Sequence, residues 1–180
     1  SSHLLVTGAT GFVGRAFISH AAMPGTRVSA IGRSHQRLAA AFGNIPGVSC
    51  FAYDDTTSGN NELAQAISAA IDAGPVGAQV TLVHLAGAAH DSRLSDEFRG
   101  AAIDSITDHL VSALVDGPSA RVINVSSIAA RPDQCGTGAR LEHYGRAKAR
   151  SEVLLAGATD MLDGGCISLR PPAVWGPTAP

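Results

Sequence analysis

Residues 7–14 read T-G-A-T-G-F-V-G, between a short apolar segment at 4–6 and a stretch at 12–23 with apolar residues at helical spacing. The three glycines of this stretch are Gly8, Gly11 and Gly14. Glycines so placed allow a tight turn, a close approach of the backbone to a diphosphate and close packing of helix on strand. The stretch predicts a dinucleotide-binding strand–turn–helix unit, although its spacing is G-x-x-G-x-x-G rather than G-x-G-x-x-G.

The rest of the chain alternates short apolar segments with longer amphipathic ones. The further predicted strands are residues 27–31, 48–53, 80–85, 121–125 and 166–169, and the further predicted helices are residues 62–73, 101–115 and 144–155. Such alternation favours right-handed crossovers and a parallel sheet with helices on both faces. The sequence therefore predicts one doubly wound α/β domain of the Rossmann type over residues 1–180, with a loop at 131–140.

The composition argues against several classes of function. A formal net charge of −2 gives no electrostatic footprint for nucleic acid or anionic lipid, and no apolar run is long enough to span a membrane. The seven histidines show no metal-ligand spacing such as H-E-x-x-H. Cys50, Cys135 and Cys166 form no C-x-x-C pair, which is typical of reduced thiols and predicts a cytoplasmic protein.

The end of the second predicted strand bears on the choice of dinucleotide. An acidic residue about 20 residues after the glycines normally binds the adenosine ribose hydroxyls, but the chain has I-G-R-S at 31–34. Arg33 is a candidate partner for a 2′-phosphate, and Ser34 for an added hydrogen bond. These residues favour NADP over NAD; the alternative is that Arg33 is a solvated loop residue.

A second pattern, Y-G-R-A-K at 144–148, places a tyrosine and a lysine four residues apart in a predicted helix. Residues so spaced share one helix face, and a nearby ammonium lowers the pKa of a phenol toward the range useful for proton transfer. Ser127 follows a predicted strand, at the edge of a parallel sheet where ligands bind. Tyr144 and Lys148 alone are a weak signal, and Ser127 strengthens it.

Five motifs, in this order, resemble those of extended short-chain dehydrogenases/reductases. They are T-G-A-T-G-F-V-G, V-H-L-A-G at 83–87, N-V-S-S-I at 124–128, Y-G-R-A-K, and L-R-P-P-A-V-W-G-P at 169–177. The similarity is greatest to the NAD-dependent epimerase/dehydratase branch, which includes nucleotide-sugar epimerases and dehydratases. It spans essentially the whole chain.

The resemblance implies a role for each matching residue. Tyr144 is the expected acid/base, Lys148 holds the nicotinamide ribose and lowers the tyrosine pKa, and Ser127, rather than Ser126, hydrogen-bonds the reacting substrate oxygen. Asp54 would meet the adenine, with a turn or helix cap as its alternative role. The other expected cofactor contacts are Thr10, Gly11, Phe12 and Val13 at the diphosphate, Leu85, Ala86 and Gly87 at the adenosine ribose, and Pro171 to Val174 at the nicotinamide.

Some positions depart from the family. The helix after the fourth strand has Ile103-Asp104-Ser105 where the family often has Asn, and Ala173 stands where many sugar-nucleotide enzymes have Asn. Both departures weigh against a UDP-sugar without affecting hydride transfer. The smaller C-terminal substrate region that follows W-G-P in the family is expected to be absent.

These patterns predict an NAD(P)-dependent oxidoreductase of the epimerase/dehydratase type that moves a hydride to and from a hydroxylated substrate, such as a nucleotide sugar. An NADPH-dependent carbonyl reductase is the first alternative. A noncatalytic NAD(P)-binding module is the second, and the Ser–Tyr–Lys group argues against it. The resemblance also implies a homodimer formed through the helices after the fourth and fifth strands.

Overall fold

The structure is a computed structural model, and it describes residues 2–54, 62–87, 94–115, 120–131, 141–160 and 164–172. Its strands are β1 Ser2–Thr7, β2 Thr26–Gly32, β3 Val48–Ala52, β4 Gln79–His84, β5 Arg121–Val125 and β6 Cys166–Leu169. Its helices are α1 Phe12–Ala21, α2 His35–Phe42, α3 Glu62–Asp72, α4 Asp96–Val115 and α5 Glu142–Asp160, and a 3-10 turn spans Ile128–Ala130.

The strands form one six-stranded sheet in the order β3-β2-β1-β4-β5-β6. Every neighbouring pair is parallel. The chain therefore adds β2 and β3 on one side of β1 and then crosses over to add β4, β5 and β6 on the other side. This switch opens a crevice at the carboxyl ends of β1 and β4, which is where open α/β sheets bind ligands. The predicted doubly wound Rossmann fold is confirmed.

Alternating strand residues separate the core into two layers. On one face Leu5, Leu82 and Val122 pack with apolar residues of α3, α4 and α5. On the other face Val6 and Val83 pack with residues of α1 and α2. Because successive strand residues point to opposite faces, the apolar runs of β1 and β4 supply both layers.

The structure differs from the sequence prediction mainly in its helices. It has a helix α2, absent from the prediction, which begins where the Ser34 hydroxyl accepts a hydrogen bond from the Arg37 N–H at 3.3 Å. Helix α4 begins at Asp96 rather than at residue 101, because the Ser95 hydroxyl accepts from the Phe98 N–H at 3.1 Å. Hydroxyl caps of this kind satisfy first-turn N–H groups and fix where a helix begins.

In the described ranges no helix combines the length and apolar character needed to cross a membrane. Those same ranges contain no cluster of three His, Cys, Asp or Glu side chains suited to a metal ion. Cys50 and Cys166 carry free thiols, and Cys135 lies outside the described residues. The predicted loop at 131–140 also lies outside them, except for Arg131.

Candidate active site

The glycine turn after β1 is a site of close backbone contact. Gly8 has a φ of +69°, and a Cβ there would lie 2.6 Å from the backbone N of Ala86. A Cβ on Gly14 would lie 2.4 Å from the carbonyl oxygen of Gly8. The Gly11 N–H donates to that same oxygen at 3.0 Å. The turn therefore folds back on itself and admits no side chain at Gly8 or Gly14.

The start of helix α1 offers donors to an anion. Gly11 is its N-cap residue and provides no side-chain acceptor. The N–H groups of Phe12 and Val13, in the first turn, have no partner within an α-helix. They lie directly after Gly11, at the end of the turn that the glycines keep narrow. Backbone donors at a helix amino terminus, next to a cradle that a Cβ would fill, fit the diphosphate of a dinucleotide.

The residues expected at the adenosine end follow β2 and β3. Arg33 is exposed, and Ser34 caps α2 through its oxygen, so its hydroxyl hydrogen can still be donated. Asp54 is exposed after β3, and its N–H donates to the Glu62 carboxylate at 2.7 Å. Because β2 and β3 are parallel neighbours, these residues share the edge of the sheet that carries the glycine turn.

The segment after β4, residues 85–87, forms the other side of the crevice. The Leu85 N–H donates to the Thr7 carbonyl oxygen at 3.2 Å, which continues the ladder between β1 and β4. Ala86 is buried against the glycine turn, and a Cβ on Gly87 would lie 3.3 Å from the Lys148 ammonium. The expected ribose-contacting segment therefore lies between the turn and Lys148.

A buried pair links the ends of β1 and β4. The Thr7 hydroxyl and Nδ1 of His84 are 2.8 Å apart, and both side chains are buried. Burial, with a smaller contribution from the Lys148 charge, lowers the pKa of His84 to about 3. His84 is therefore neutral at physiological pH, and its role here is to hold the two strand ends together.

Ser127 occupies the position expected after β5. It is half-buried at the start of the 3-10 turn, and its oxygen accepts from the Ala129 N–H at 3.2 Å. Ser126 is buried, with only 4% of its surface exposed, which favours Ser127 for contact with a ligand. The carbonyl oxygen of Pro171 accepts from the Ile128 N–H at 3.2 Å and so lies beside this turn. Val174, like Ala173, lies outside the described residues.

Tyr144 and Lys148 lie one turn apart in α5, and both are buried. The Lys148 ammonium donates to the Val125 carbonyl oxygen, two residues before Ser127, at 3.1 Å. A Cβ on Gly145 would lie 2.3 Å from the Ala129 carbonyl oxygen. The glycine of Y-G-R-A-K therefore lets α5 pack directly on the turn after Ser127. This packing brings the serine, the tyrosine and the lysine together.

The pKa of Tyr144 differs from the expectation. Burial raises it, while a hydrogen-bonding interaction with Ser127 and the charge of Arg99 act to lower it. Burial also lowers the pKa of Lys148 to about 8, against the opposing effect of the Glu152 carboxylate. The expected lowering of the tyrosine pKa by Lys148 is therefore not observed, because desolvation disfavours the phenolate and the Lys148 ammonium is bonded to Val125.

Two residues that sequence reasoning missed hold Tyr144 in position. The Asp96 carboxylate, in the first turn of α4, accepts from the N–H groups of His143 at 2.7 Å and Tyr144 at 3.2 Å. A Cβ on Gly100 would lie 3.0 Å from His143. Asp96 thus acts as a helix cap supplied by another helix, and local sequence gives no signal for it because its partners are 47 and 48 residues away.

Solved structures with this fold come from several short-chain dehydrogenases. Yeast methylglyoxal/isovaleraldehyde reductase Gre2, complexed with NADPH, is 18% identical with a TM-score of 0.74, over 97% of this chain and 59% of that one. A short chain dehydrogenase from Salmonella enterica serovar Typhi is 20% identical with a TM-score of 0.70, over 96% and 76%. At such low identity these similarities establish the fold alone.

A third solved structure likewise shows only that the fold is the same. The 3-ketoacyl-(acyl-carrier-protein) reductase from Brucella melitensis, complexed with NADH, is 20% identical with a TM-score of 0.68, over 96% of this chain and 75% of that one. No curated protein sequence matches the chain. The model of the NAD-dependent epimerase/dehydratase family, in contrast, matches residues 4–180, nearly the entire sequence. The chain therefore belongs to the NAD-dependent epimerase/dehydratase family and is an NAD(P)-dependent enzyme of the short-chain dehydrogenase/reductase type.

Proposed function

We propose that the chain catalyses reversible hydride transfer at a carbinol carbon of its substrate, with Ser127, Tyr144 and Lys148 as its catalytic residues. The observation that carries this proposal is the convergence of the three side chains. Tyr144 is buried one helical turn from Lys148 and interacts with Ser127, at the carboxyl edge of β5. A positioned phenol in such a site is suited to acid–base catalysis.

Each of the three residues has a distinct task. When bound, the nicotinamide of the cofactor accepts or supplies the hydride. In the oxidation direction Tyr144 takes the hydroxyl proton as the C–H bond gives up its hydride, and in the reduction direction it returns that proton to the oxygen. The Ser127 hydroxyl hydrogen-bonds the reacting oxygen. Lys148 holds the nicotinamide ribose, opposite Gly87.

The glycine turn and the start of α1 are the proposed diphosphate site, with Asp54 at the adenine and the segment 85–87 at the adenosine ribose. Pro171 and Val174 are proposed to border the nicotinamide. NADP is the proposed cofactor, because Arg33 stands at the end of β2 where an acidic residue would favour NAD.

The substrate that we propose first is a hydroxylated molecule of the nucleotide-sugar kind, which suits an epimerase or dehydratase. One observation favours the second candidate, an NADPH-dependent carbonyl reductase. Ile103 is buried in a cluster with Tyr144, Ala147 and Ala129, so an apolar side chain stands beside the phenol where the family often has Asn. The wall of the site at this point suits an apolar part of a carbonyl substrate.

Cofactor retention distinguishes the two candidates. An epimerase or dehydratase oxidises and reduces its cofactor within one turnover, so protein purified in mild buffer and then denatured is expected to release NAD+ or NADP+ in near-stoichiometric amount. A carbonyl reductase releases its oxidised cofactor as a product, and its purified form is expected to be empty and to consume NADPH with an aldehyde or ketone. A protein that neither binds nor turns over NAD(H) or NADP(H) would refute both candidate functions.

Replacing Arg33 tests the choice of cofactor. Arg33→Ser removes the proposed partner of the 2′-phosphate, so the dissociation constant of NADPH should rise about 10–100-fold, as for a lost charge-assisted contact. The dissociation constant of NADH should change little. Arg37→Ser is the control, since Arg37 is an exposed arginine in the first turn of α2, four residues after Arg33. Equal losses for NADPH and NADH in Arg33→Ser would contradict the assignment.

A further inference from the structure

Glu152 is a carboxylate of α5 to which the proposed reaction assigns no task. Only 12% of its side chain is exposed, and it lies four residues after Lys148, on the same face of the helix. Both of its oxygens accept from the guanidinium of Arg170, one from Nε at 2.8 Å and the other from Nη2. In contrast, the ion pairs that Arg146 and Arg150 make from the same helix join side chains that are at least 43% exposed. The carboxylate of Glu152 is therefore held in a fixed orientation and is largely shielded from water.

Contacts at the ends of β5 and β6 join Lys148 to this ion pair. The Lys148 ammonium donates to the Val125 carbonyl oxygen at 3.1 Å. The next residue along the chain donates its N–H to the carbonyl oxygen of Leu169 at 2.7 Å, and Leu169 directly precedes Arg170. The contacts therefore form a closed ring, from Lys148 through the two strand ends to Arg170, then to Glu152 and back along one turn of α5. This ring fixes the carboxylate relative to the ammonium.

The Lys148 ammonium needs a counter-charge because it is buried. Only 4% of the residue is exposed, and the Val125 oxygen to which it donates is uncharged. Burial of an ammonium without an anion favours its neutral form. The charge of Glu152, one turn away, opposes the burial that lowers the pKa of Lys148 to about 8. Arg170 orients this carboxylate, but its own positive charge acts in the opposite direction.

We propose that Glu152, oriented by Arg170, is the counter-charge that keeps the Lys148 side chain protonated for its contact with the nicotinamide ribose. This inference rests on the proposed function, in which Lys148 holds that ribose. Glu152 is a positioning residue, since it acts through Lys148 and contacts neither the cofactor nor the substrate.

Among the described residues of this cluster, Lys148 is the group expected to titrate between pH 7 and pH 9. Burial, with a smaller contribution from the Lys148 charge, lowers the pKa of His84 in β4 to about 3, so His84 stays neutral. Burial raises the pKa of Tyr144, and it raises that of the Cys166 thiol in β6, on which Glu152 also acts. The hydrogen bond from Arg170 lowers the pKa of Glu152, which stays ionised. Cofactor affinity over this range should therefore follow the charge of Lys148.

The test is the dissociation constant of NADP+, measured by calorimetry from pH 7 to pH 9. Glu152→Gln removes the negative charge and leaves the positive charge of Arg170, so the pKa of Lys148 should fall by about one pH unit. The dissociation constant should then stay within about twofold of the wild-type value at pH 7 and exceed it about fivefold at pH 8, where less Lys148 is protonated. Arg170→Met breaks the same ion pair but keeps the carboxylate, so affinity should decline at the same pH as in the wild type or at a higher one.

The two substitutions distinguish a counter-charge from an ion pair that serves only the fold, because an ion pair of that kind would be lost equally in both. The proposal is wrong if both variants move the decline of affinity to lower pH, or if Glu152→Gln does not move it. Glu142→Gln is the matched control, since Glu142 is an exposed carboxylate of α5 paired with Arg146, and its pH dependence should be that of the wild type.

Thermal unfolding shows whether Glu152→Gln is folded. If it is not, Arg170→Met decides alone, and a decline that begins at lower pH than in the wild type would overturn the proposal. Wild-type affinity that is constant from pH 7 to pH 9 would show that Lys148 does not hold the ribose as an ammonium, which would overturn this inference together with that part of the proposed function. The proton transfer assigned to Tyr144 is tested separately, by the turnover of Tyr144→Phe.

Discussion

Tyr144→Phe is expected to lower kcat about 10²–10⁴-fold, the usual contribution of a positioned general acid or base. The change removes one oxygen atom and leaves the buried ring in place. Because the ring still fills its site beside Ile103 and Ala147, the fold should change little. Loss of one hydrogen bond to the nicotinamide ribose should raise the dissociation constant of the cofactor by less than about tenfold. Steady-state kinetics in both reaction directions measures the effect of the substitution on kcat. Titration of the same samples with cofactor measures its effect on the dissociation constant separately.

Tyr53→Phe is a matched control for this loss. The chain has two tyrosines, and Tyr53 and Tyr144 are each 8% exposed. Removing the Tyr53 hydroxyl, which lies after β3 and away from Ser127, should leave kcat within about threefold, as is usual outside a catalytic group. Equal effects of the two substitutions on kcat would show that the phenol of Tyr144 has no special chemical role.

The direction of the Tyr144 pKa shift sets the pH dependence of the wild-type enzyme. Burial raises this pKa, so the phenol is protonated at neutral pH and is ready to donate to a carbonyl oxygen. Reduction should therefore persist at neutral pH, whereas alcohol oxidation, which needs the deprotonated form, should accelerate as the pH rises. The Tyr144→Phe variant should lose this acceleration.

Gly14→Ala is expected both to destabilise the fold and to weaken binding of the cofactor. The new methyl group would lie 2.4 Å from the Gly8 carbonyl oxygen and 2.6 Å from that of Ala9, where no real Cβ fits. The turn must open, which should lower the free energy of unfolding by about 1–3 kcal/mol, the usual cost of overpacking. It also displaces the donors at the start of α1, so the dissociation constant of NADP(H) should rise about tenfold or more.

Gly157→Ala controls for the change of residue type. Gly157 is an exposed glycine of α5, and a Cβ there would meet nothing within 4 Å. Alanine should raise the free energy of unfolding there by about 0.5–1 kcal/mol, since it is the better helix former. Urea unfolding and fluorescence titration with NADPH compare the two variants. A Gly14→Ala protein as stable and as tightly binding as the wild type would show that the turn does not serve the cofactor.

The fold was predictable because its signals are local. The apolar runs of β1 and β4, the glycines after β1 and the helical spacing in α3 each lie within one segment. Helix α2 was missed because it is only eight residues long and its start depends on the Ser34 cap. The residue at which a helix begins depends on such caps as well. Helix α4, for example, begins after Ser95, whose hydroxyl accepts from the Phe98 N–H.

The residues that assemble the site were only partly predictable. Spacing alone suggested that Tyr144 and Lys148 share a helix face, and the structure places them together beside Ser127. The supporting contacts join segments far apart in sequence: Asp96 caps α5, Gly145 packs on Ala129, and Lys148 donates to Val125. No local pattern encodes such contacts. The burial that raises the Tyr144 pKa is likewise a property of the assembled fold.

A crystal structure of the protein with bound NADP+ tests the central claim most directly. The claim predicts the diphosphate against the N–H groups that follow Gly11, and the nicotinamide ribose within hydrogen-bonding distance of Tyr144 and Lys148. Its nicotinamide ring should lie next to the Ser127 hydroxyl. A cofactor bound elsewhere on the sheet, or one whose ribose contacts neither Tyr144 nor Lys148, would contradict it.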